Sequence, residues 1–198
     1  VMRNILLTIE YDGTNYAGWQ VQPNGTSIQQ LLEEALARLL KEKVRLHSSG
    51  RTDAGVHAMG MPASFTTTKT VPLKAFTAGL NALLPPDIAV RSAREVPLEF
   101  HPRREAVAKH YRYTLHVSQN RTPLARLYSW HLRGPLDMEA MRTGAGHFVG
   151  EHDFAAFRGT GCAAKTTVRA VHSVDITANG EFVLFDVVGA GFLRNMVR

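Results

Sequence analysis

Cysteine is almost missing from this chain. Cys162 is the only one in 198 residues. No disulfide can close within the chain and no CxxC metal knuckle exists, which points to a reducing cytoplasm. Long hydrophobic runs are missing as well. No stretch approaches the ~18 apolar residues of a membrane span, and the N-terminal "VMRNILLTIEYDG" turns polar too soon for a signal peptide. No P-loop is present, and no GxGxxG follows a strand, so no nucleotide cofactor is signalled. Nine histidines occur, but none forms HExxH or a close Cys/His pair, so no metal is expected. Low-complexity segments are also lacking.

What is present is ordinary globular composition with a basic bias. The chain is 44% hydrophobic and 20% charged, and its formal charge is +6. The isoelectric point is about 9.8. Such a balance favours a polyanionic partner, nucleic acid above all, although a scattered solvated surface gives the same number.

Residues 4–12, "NILLTIEYD", read as a buried strand. The polar loop "GTNYAGWQVQPNGT" follows. "SIQQLLEEALARLLKEK" is the best helix: Ser27 and Gln30 form a capping box, and Ile28, Leu31, Leu32, Ala35, Leu36, Leu39 and Leu40 keep the i, i+3, i+4 rhythm. "VRLHSSG" and "GMPASFTTT" read as strands on either side of a loop. "PLKAFTAGLNALL" reads as a second helix stopped by Pro85 and Pro86. "IAVRSAREV" closes the unit. The order β-α-β-β-α-β is that of ferredoxin-like folds. The second half restarts it with "EAVAKHYRYTLHV", a short "SWHLR" strand and the Gly-weakened helix "LDMEAMRTGAGHFVG". A hairpin turned at Asn179-Gly180 comes next. "AGFLRNMVR" then opens a helix, and the expectation is that the natural chain continues past it. The boundary falls after "HPRR", giving halves 1–104 and 105–198.

Two regions carry candidate chemistry. In "HSSGRTDAGVHAMG", Arg51, Asp53 and His57 stand among glycines that let the backbone approach a ligand. Asp53 caps a turn on the bland reading. On the functional one it faces a cleft, with Arg51 able to pair with phosphate or stack on a base. The "DAG" also resembles the Asp-Thr/Ser-Gly of aspartic proteases, but no second copy exists. Basic and aromatic residues alternate in "FHPRREAVAKHYRY", which includes Phe100, His101, Arg103, Arg104, Lys109, Tyr111 and Tyr113. Tyr11, Tyr16 and Trp19 lie in "YDGTNYAGWQ". Exposed, these groups suit phosphates and unstacked bases; alternate strand members that face a core do not. The RRM signature is absent.

"GRTDAGVHA" resembles the signature loop of the tRNA pseudouridine synthase A family. "EYDGTNYAGWQ", "TSIQQLLEEAL", "LNALLPPDIAV", "FHPRREAVAKHYRYTL", "GEHDFAAF" and "GAGFLRNMVR" resemble that family's segments in the same order. Pro102 stands where the family usually has alanine, and family members continue well past "MVR", with elements of the active-site wall. The resemblance implies an α+β fold in which two ferredoxin-like halves share a mixed, mostly antiparallel sheet with helices on one face. It implies a homodimer around a basic cleft. The implied reaction turns a uridine of the tRNA anticodon arm, positions 38–40, into pseudouridine with no cofactor and no metal. Asp53 would be the nucleophile and Arg198 its cationic partner, with Tyr111 stacked on the uracil. Arg51 would fill the space left by the flipped base or hold its phosphate. His57, Phe100, His101, Arg103 and Arg104 would contact RNA. Two other readings fit parts of the pattern. A non-catalytic RNA-binding module of the same fold explains charge and aromatics but gives Asp53 no task. A metal phosphoesterase would use Asp12 with Asp53.

Overall fold

The computed structural model describes all residues from Val1 to Arg198. The chain forms two compact units, Val1–Ala106 and Val107–Arg198.

In the first unit β1 (Arg3–Tyr11) leads to α1 (Ile28–Leu40), β2 (His47–Ser48) and β3 (Ala58–Thr67). A 3-10 turn (Leu73–Phe76), the short α2 (Ala78–Asn81), β4 (Ile88–Val96) and α3 (Pro102–Glu105) complete it. The sheet order is β2-β3-β1-β4. Every pairing is antiparallel, with Leu7 opposite both Ala63 and Ala93. This is the expected ferredoxin-like arrangement. Alternation along β1 sends Ile5, Leu7, Ile9 and Tyr11 into one core with Leu32, Leu36 and Leu40 of α1. Each such fully buried aliphatic side chain contributes about 1.5–3 kcal/mol.

Ser27 caps α1 as expected, its Oγ accepting from the Gln30 N–H at 3.2 Å. The reciprocal half of the box is not made, because the Gln30 amide donates to Glu34 instead. The second helix is shorter than its periodicity predicts. Thr77 breaks it at φ −104°, ψ −75°, leaving a 3-10 turn and one turn of α-helix.

The second unit contains β5 (Lys109–Val117), β6 (Trp130–Leu132), α4 (Met138–Gly146), β7 (Gly150–Asp153), a 3-10 turn (Ala155–Phe157), β8 (Val168–Asn179) and β9 (Phe182–Gly189). Its sheet order is β6-β5-β9-β8-β7. The run β5-β9-β8 matches β1-β3-β2 of the first unit. The position beside β5 is taken by β6, which is parallel, where the first unit has antiparallel β4. The molecule is α+β with mixed and antiparallel sheets, as expected. The hydrogen-bonded ladders form two sheets, one in each unit. The helix expected over "AGFLRNMVR" is replaced by turns. Asn195 adopts φ +59°, and the Arg194 carbonyl accepts from the Gly159 N–H at 2.9 Å instead of from a following helical turn. No helix is long and apolar enough to cross a membrane.

Candidate active site

The loop 49–57 leaves β2 and returns into β3. The Ser49 N–H donates to the Pro62 carbonyl at 2.9 Å, which extends the strand pairing to the edge of the loop. From there the loop is held against the loop that follows β1. The Trp19 N–H donates to the Thr52 carbonyl at 3.0 Å and the Gly55 N–H to the Tyr16 carbonyl at 3.4 Å. Within the loop the Val56 N–H donates to the Asp53 carbonyl at 3.1 Å. The Tyr11 and Thr52 hydroxyls are 2.8 Å apart.

Two glycines make this packing possible. A Cβ on Gly13 would lie 2.0 Å from the Val56 carbonyl oxygen. Gly18 has φ +94°, and a Cβ there would lie 2.6 Å from the Thr52 carbonyl oxygen. No other residue fits either position without moving the backbone. The polar "DGTNYAGWQ" segment is therefore the seat of the signature loop. Its aromatics follow the bland reading for two of three: Tyr11 and Trp19 are each 2% exposed and belong to the core. Tyr16 donates its hydroxyl to Asp87 at 2.6 Å. Desolvation, together with Asp87, pushes that phenol well above its ordinary value.

Asp53 is half-buried at the apex of this clamped loop, beside the exposed Arg51. His57 is packed rather than free. Its Nδ1 lies 3.0 Å from the Gly13 nitrogen and 2.9 Å from Asp12 Oδ1. Unprotonated, that nitrogen accepts from Gly13; protonated, it donates to Asp12. Asp12 Oδ1 also accepts from the Thr14 N–H at 3.0 Å and the Thr14 hydroxyl at 2.6 Å. No three His, Cys, Asp or Glu side chains gather as a metal-holding group.

Phe100, His101, Arg103 and Arg104 are placed near the other end of β1. Asn4 Nδ2 donates to the Pro97 and Phe100 carbonyls, each at 3.0 Å. Asn4 and Tyr11 are seven positions apart, about 23 Å along an extended strand. Among the RNA-contact candidates of the first unit, Arg51 and His57 lie in the loop of Asp53, whereas Phe100, His101, Arg103 and Arg104 follow β4. His101 caps α3, accepting from the Arg103 N–H at 3.2 Å, and its ring lies 5.5 Å from that of His47. Arg104 donates to the Glu99 carbonyl at 3.1 Å, while Arg103 is exposed.

In the second unit, Tyr111 sits on β5 opposite Val187 of β9. Its ring meets Phe192 edge to face at 5.2 Å. The structure thus joins the "KHYRY" strand to the "AGFLRN" segment, a pairing that no spacing rule reveals. Gly189 is needed there, since a Cβ would lie 2.8 Å from the Ala170 carbonyl oxygen and 3.0 Å from the Phe192 ring. Arg198 is exposed. Two of the three basic members of "KHYRY" are committed elsewhere: Arg112 and His110 reach Asp186 at 2.9 and 2.6 Å. Arg112 holds the Asp186 carboxyl below the usual range.

Sequence comparison covers the same elements. A family model described as tRNA pseudouridine synthase matches residues 7–103 and 145–198. A tRNA pseudouridine synthase A of Geotalea uraniireducens (strain Rf4) is 66% identical over 197 residues, covering all of this chain and 81% of that protein. That of Geobacter sulfurreducens (strain ATCC 51573 / DSM 12127 / PCA) is 64% identical with the same coverage. That of Myxococcus xanthus is 50% identical over 198 residues, covering all of this chain and 75% of the relative. The family model takes in β1 from residue 7 onward, the loop that seats the signature segment, that segment itself and the Phe192 turn; the chain belongs to the tRNA pseudouridine synthase family.

Proposed function

We propose that Asp53 is the nucleophile by which this enzyme converts uridine in tRNA to pseudouridine. The observation that carries the assignment is the clamped loop. A half-buried carboxylate sits on a backbone fixed by hydrogen bonds before and after it. Such a group is oriented before substrate arrives, which removes part of the entropy barrier to attack.

The reaction is an isomerisation. The N-glycosidic bond breaks, the uracil turns, its C5 joins the ribose C1′ with loss of the C5 proton, and N1 takes up a proton, so substrate and product hold the same atoms. Asp53 attacks C1′ or the uracil C6. An ionised carboxylate in a partly dry site needs a cation nearby, because burial favours its neutral form. Arg198 takes that role in this reading, and Tyr111 stacks on the uracil and helps to move the proton. Arg51 holds the phosphate or the vacated space, which offsets the few kcal/mol of base flipping. The resemblance adds positions 38–40 of the anticodon arm, a homodimer and a cytoplasmic location. The first unit's Arg103 and Arg104 are exposed and available to phosphate, so tRNA affinity falls steeply with salt.

A carbodiimide-type modification assay on tRNA treated with the wild-type enzyme tests the reading. Pseudouridine at positions 38–40 is expected, and Arg198→Ala lowers turnover far more than affinity. Tight tRNA binding without any pseudouridine would instead assign the chain as a non-catalytic RNA-binding module.

A further inference from the structure

We infer that Tyr11 is a positioning residue for Asp53, acting through the side chain of Thr52. The inference rests on the reading of Asp53 as nucleophile. Tyr11 is the last residue of β1 and lies between the first residues of two neighbouring strands, Ala58 of β3 and Ile88 of β4. It is 2% exposed, and its ring packs against Trp19 at 6.0 Å. Packing alone asks only for an aromatic ring there, and phenylalanine would fill the space. The hydroxyl has a distinct task, since its oxygen meets Thr52 Oγ1 at 2.8 Å.

Thr52 directly precedes Asp53 and is fixed at two points. Its side chain meets Tyr11, and its carbonyl accepts from Trp19 at 3.0 Å. Gly18 lets that carbonyl approach, as any Cβ there would come within 2.6 Å of it. The central strand of the sheet is thereby linked to the reactive carboxylate through one hydrogen bond and one peptide unit. Removing the hydrogen bond frees Thr52 to change rotamer and lets the Asp53 backbone drift. A misplacement of about 1 Å in a reacting group can lower turnover by about a hundredfold.

The test is a cycle of Tyr11→Phe, Thr52→Val and the double variant, with Thr52→Ser as the conservative control. For each, kcat and KM on tRNA, tRNA affinity and Tm are measured. Tyr11→Phe and Thr52→Val should each lower kcat by about tenfold to a hundredfold, with KM and affinity within about twofold. The double variant should fall no further than either single one, because both remove the same bond. Thr52→Ser keeps the hydroxyl and should stay near wild type. An undiminished kcat for Tyr11→Phe, or single effects that multiply in the double variant, would overturn the inference. If Tyr11→Phe does not fold, the contrast between Thr52→Val and Thr52→Ser decides it alone. Asp53→Asn keeps the two failures apart. Turnover by that variant strikes the nucleophile reading, whereas its inactivity beside a fully active Tyr11→Phe enzyme strikes only the positioning role.

Discussion

The two units are nearly equal in length and differ greatly in how they are held together. The first packs 18 buried hydrophobic residues into one cluster between its sheet and α1. The second has the larger sheet, five strands against four, but its buried residues fall into separate groups of four and three. The helices explain the difference. α1 has 13 residues and buries six of them, while α4 has nine, includes Gly144 and Gly146, and buries only Ala145. Large apolar side chains of the second unit, such as Leu124, Trp130 and Phe157, remain exposed. Charge differs too. The first unit carries 12 Lys and Arg against 10 Asp and Glu, a net +2; the second carries 11 against 7, a net +4. The signature loop is thus mounted on the better-packed, less basic unit. A rigid mount would suit Asp53 in the nucleophile role proposed for it, since precision of this kind comes from a packed scaffold.

The largest expected effect separates the loop seat from the rest of the molecule. Gly13→Ala forces a Cβ against the Val56 carbonyl, so the loop must shift and turnover should drop by about a hundredfold. A Gly13→Ala enzyme with normal kcat would show that the seat is not needed. Next comes the core. Leu36→Ala should lower stability by about 2–5 kcal/mol, and Ile176→Ala in the smaller cluster should sit at or below the low end of that range. Urea unfolding followed separately in each unit checks this, and hydrogen exchange should protect β1 amides more than those of α4. Equal losses at both sites would show the two clusters to be equally well packed.

Gly144→Ala should act in the opposite direction. A Cβ there meets nothing within 4 Å, so the change should add about 0.5–1 kcal/mol to stability and leave turnover unchanged. The smallest effect is acid-dependent. Arg112 depresses the Asp186 carboxyl in the folded state. A carboxyl with a lowered folded value stabilises above the unfolded value of about 3.9 and loses that contribution as pH falls through the folded one. Asp186→Asn should therefore destabilise by less than about 1 kcal/mol at neutral pH, and the difference should disappear in acid. Thermal unfolding across pH 2 to 7 (a range chosen to span the usual carboxylate value of ~3.9) would reveal it.

The sequence shows the first unit more clearly than the second, for the same physical reason. Long periodic segments such as β1 and α1 state their faces, and the Asn179-Gly180 turn states its hairpin. Short elements do not. α3 has a readable start in His101 followed by Pro102 at the first helical position, yet it is only four residues long. β7 is exposed throughout, so no alternation marks it. The "AGFLRNMVR" segment has helical spacing, but Asn195 in the left-handed region and the Arg194–Gly159 bond turn it into a loop. At the site, Arg51, Asp53 and His57 stand out as a charged cluster among glycines. Their mount does not, because the contacts of Gly13 with Val56 and of Tyr11 with Thr52 join residues more than 40 positions apart.

In the proposed role, Asp53, held on this mount, should perform the chemistry and do little for binding. The most direct measurement takes one preparation of Asp53→Asn and determines both pseudouridine formation and tRNA affinity. An amide keeps the shape and loses the nucleophile. No pseudouridine above a mock preparation is expected, with affinity within a few-fold of wild type. Measurable pseudouridine from that variant would contradict the proposed role.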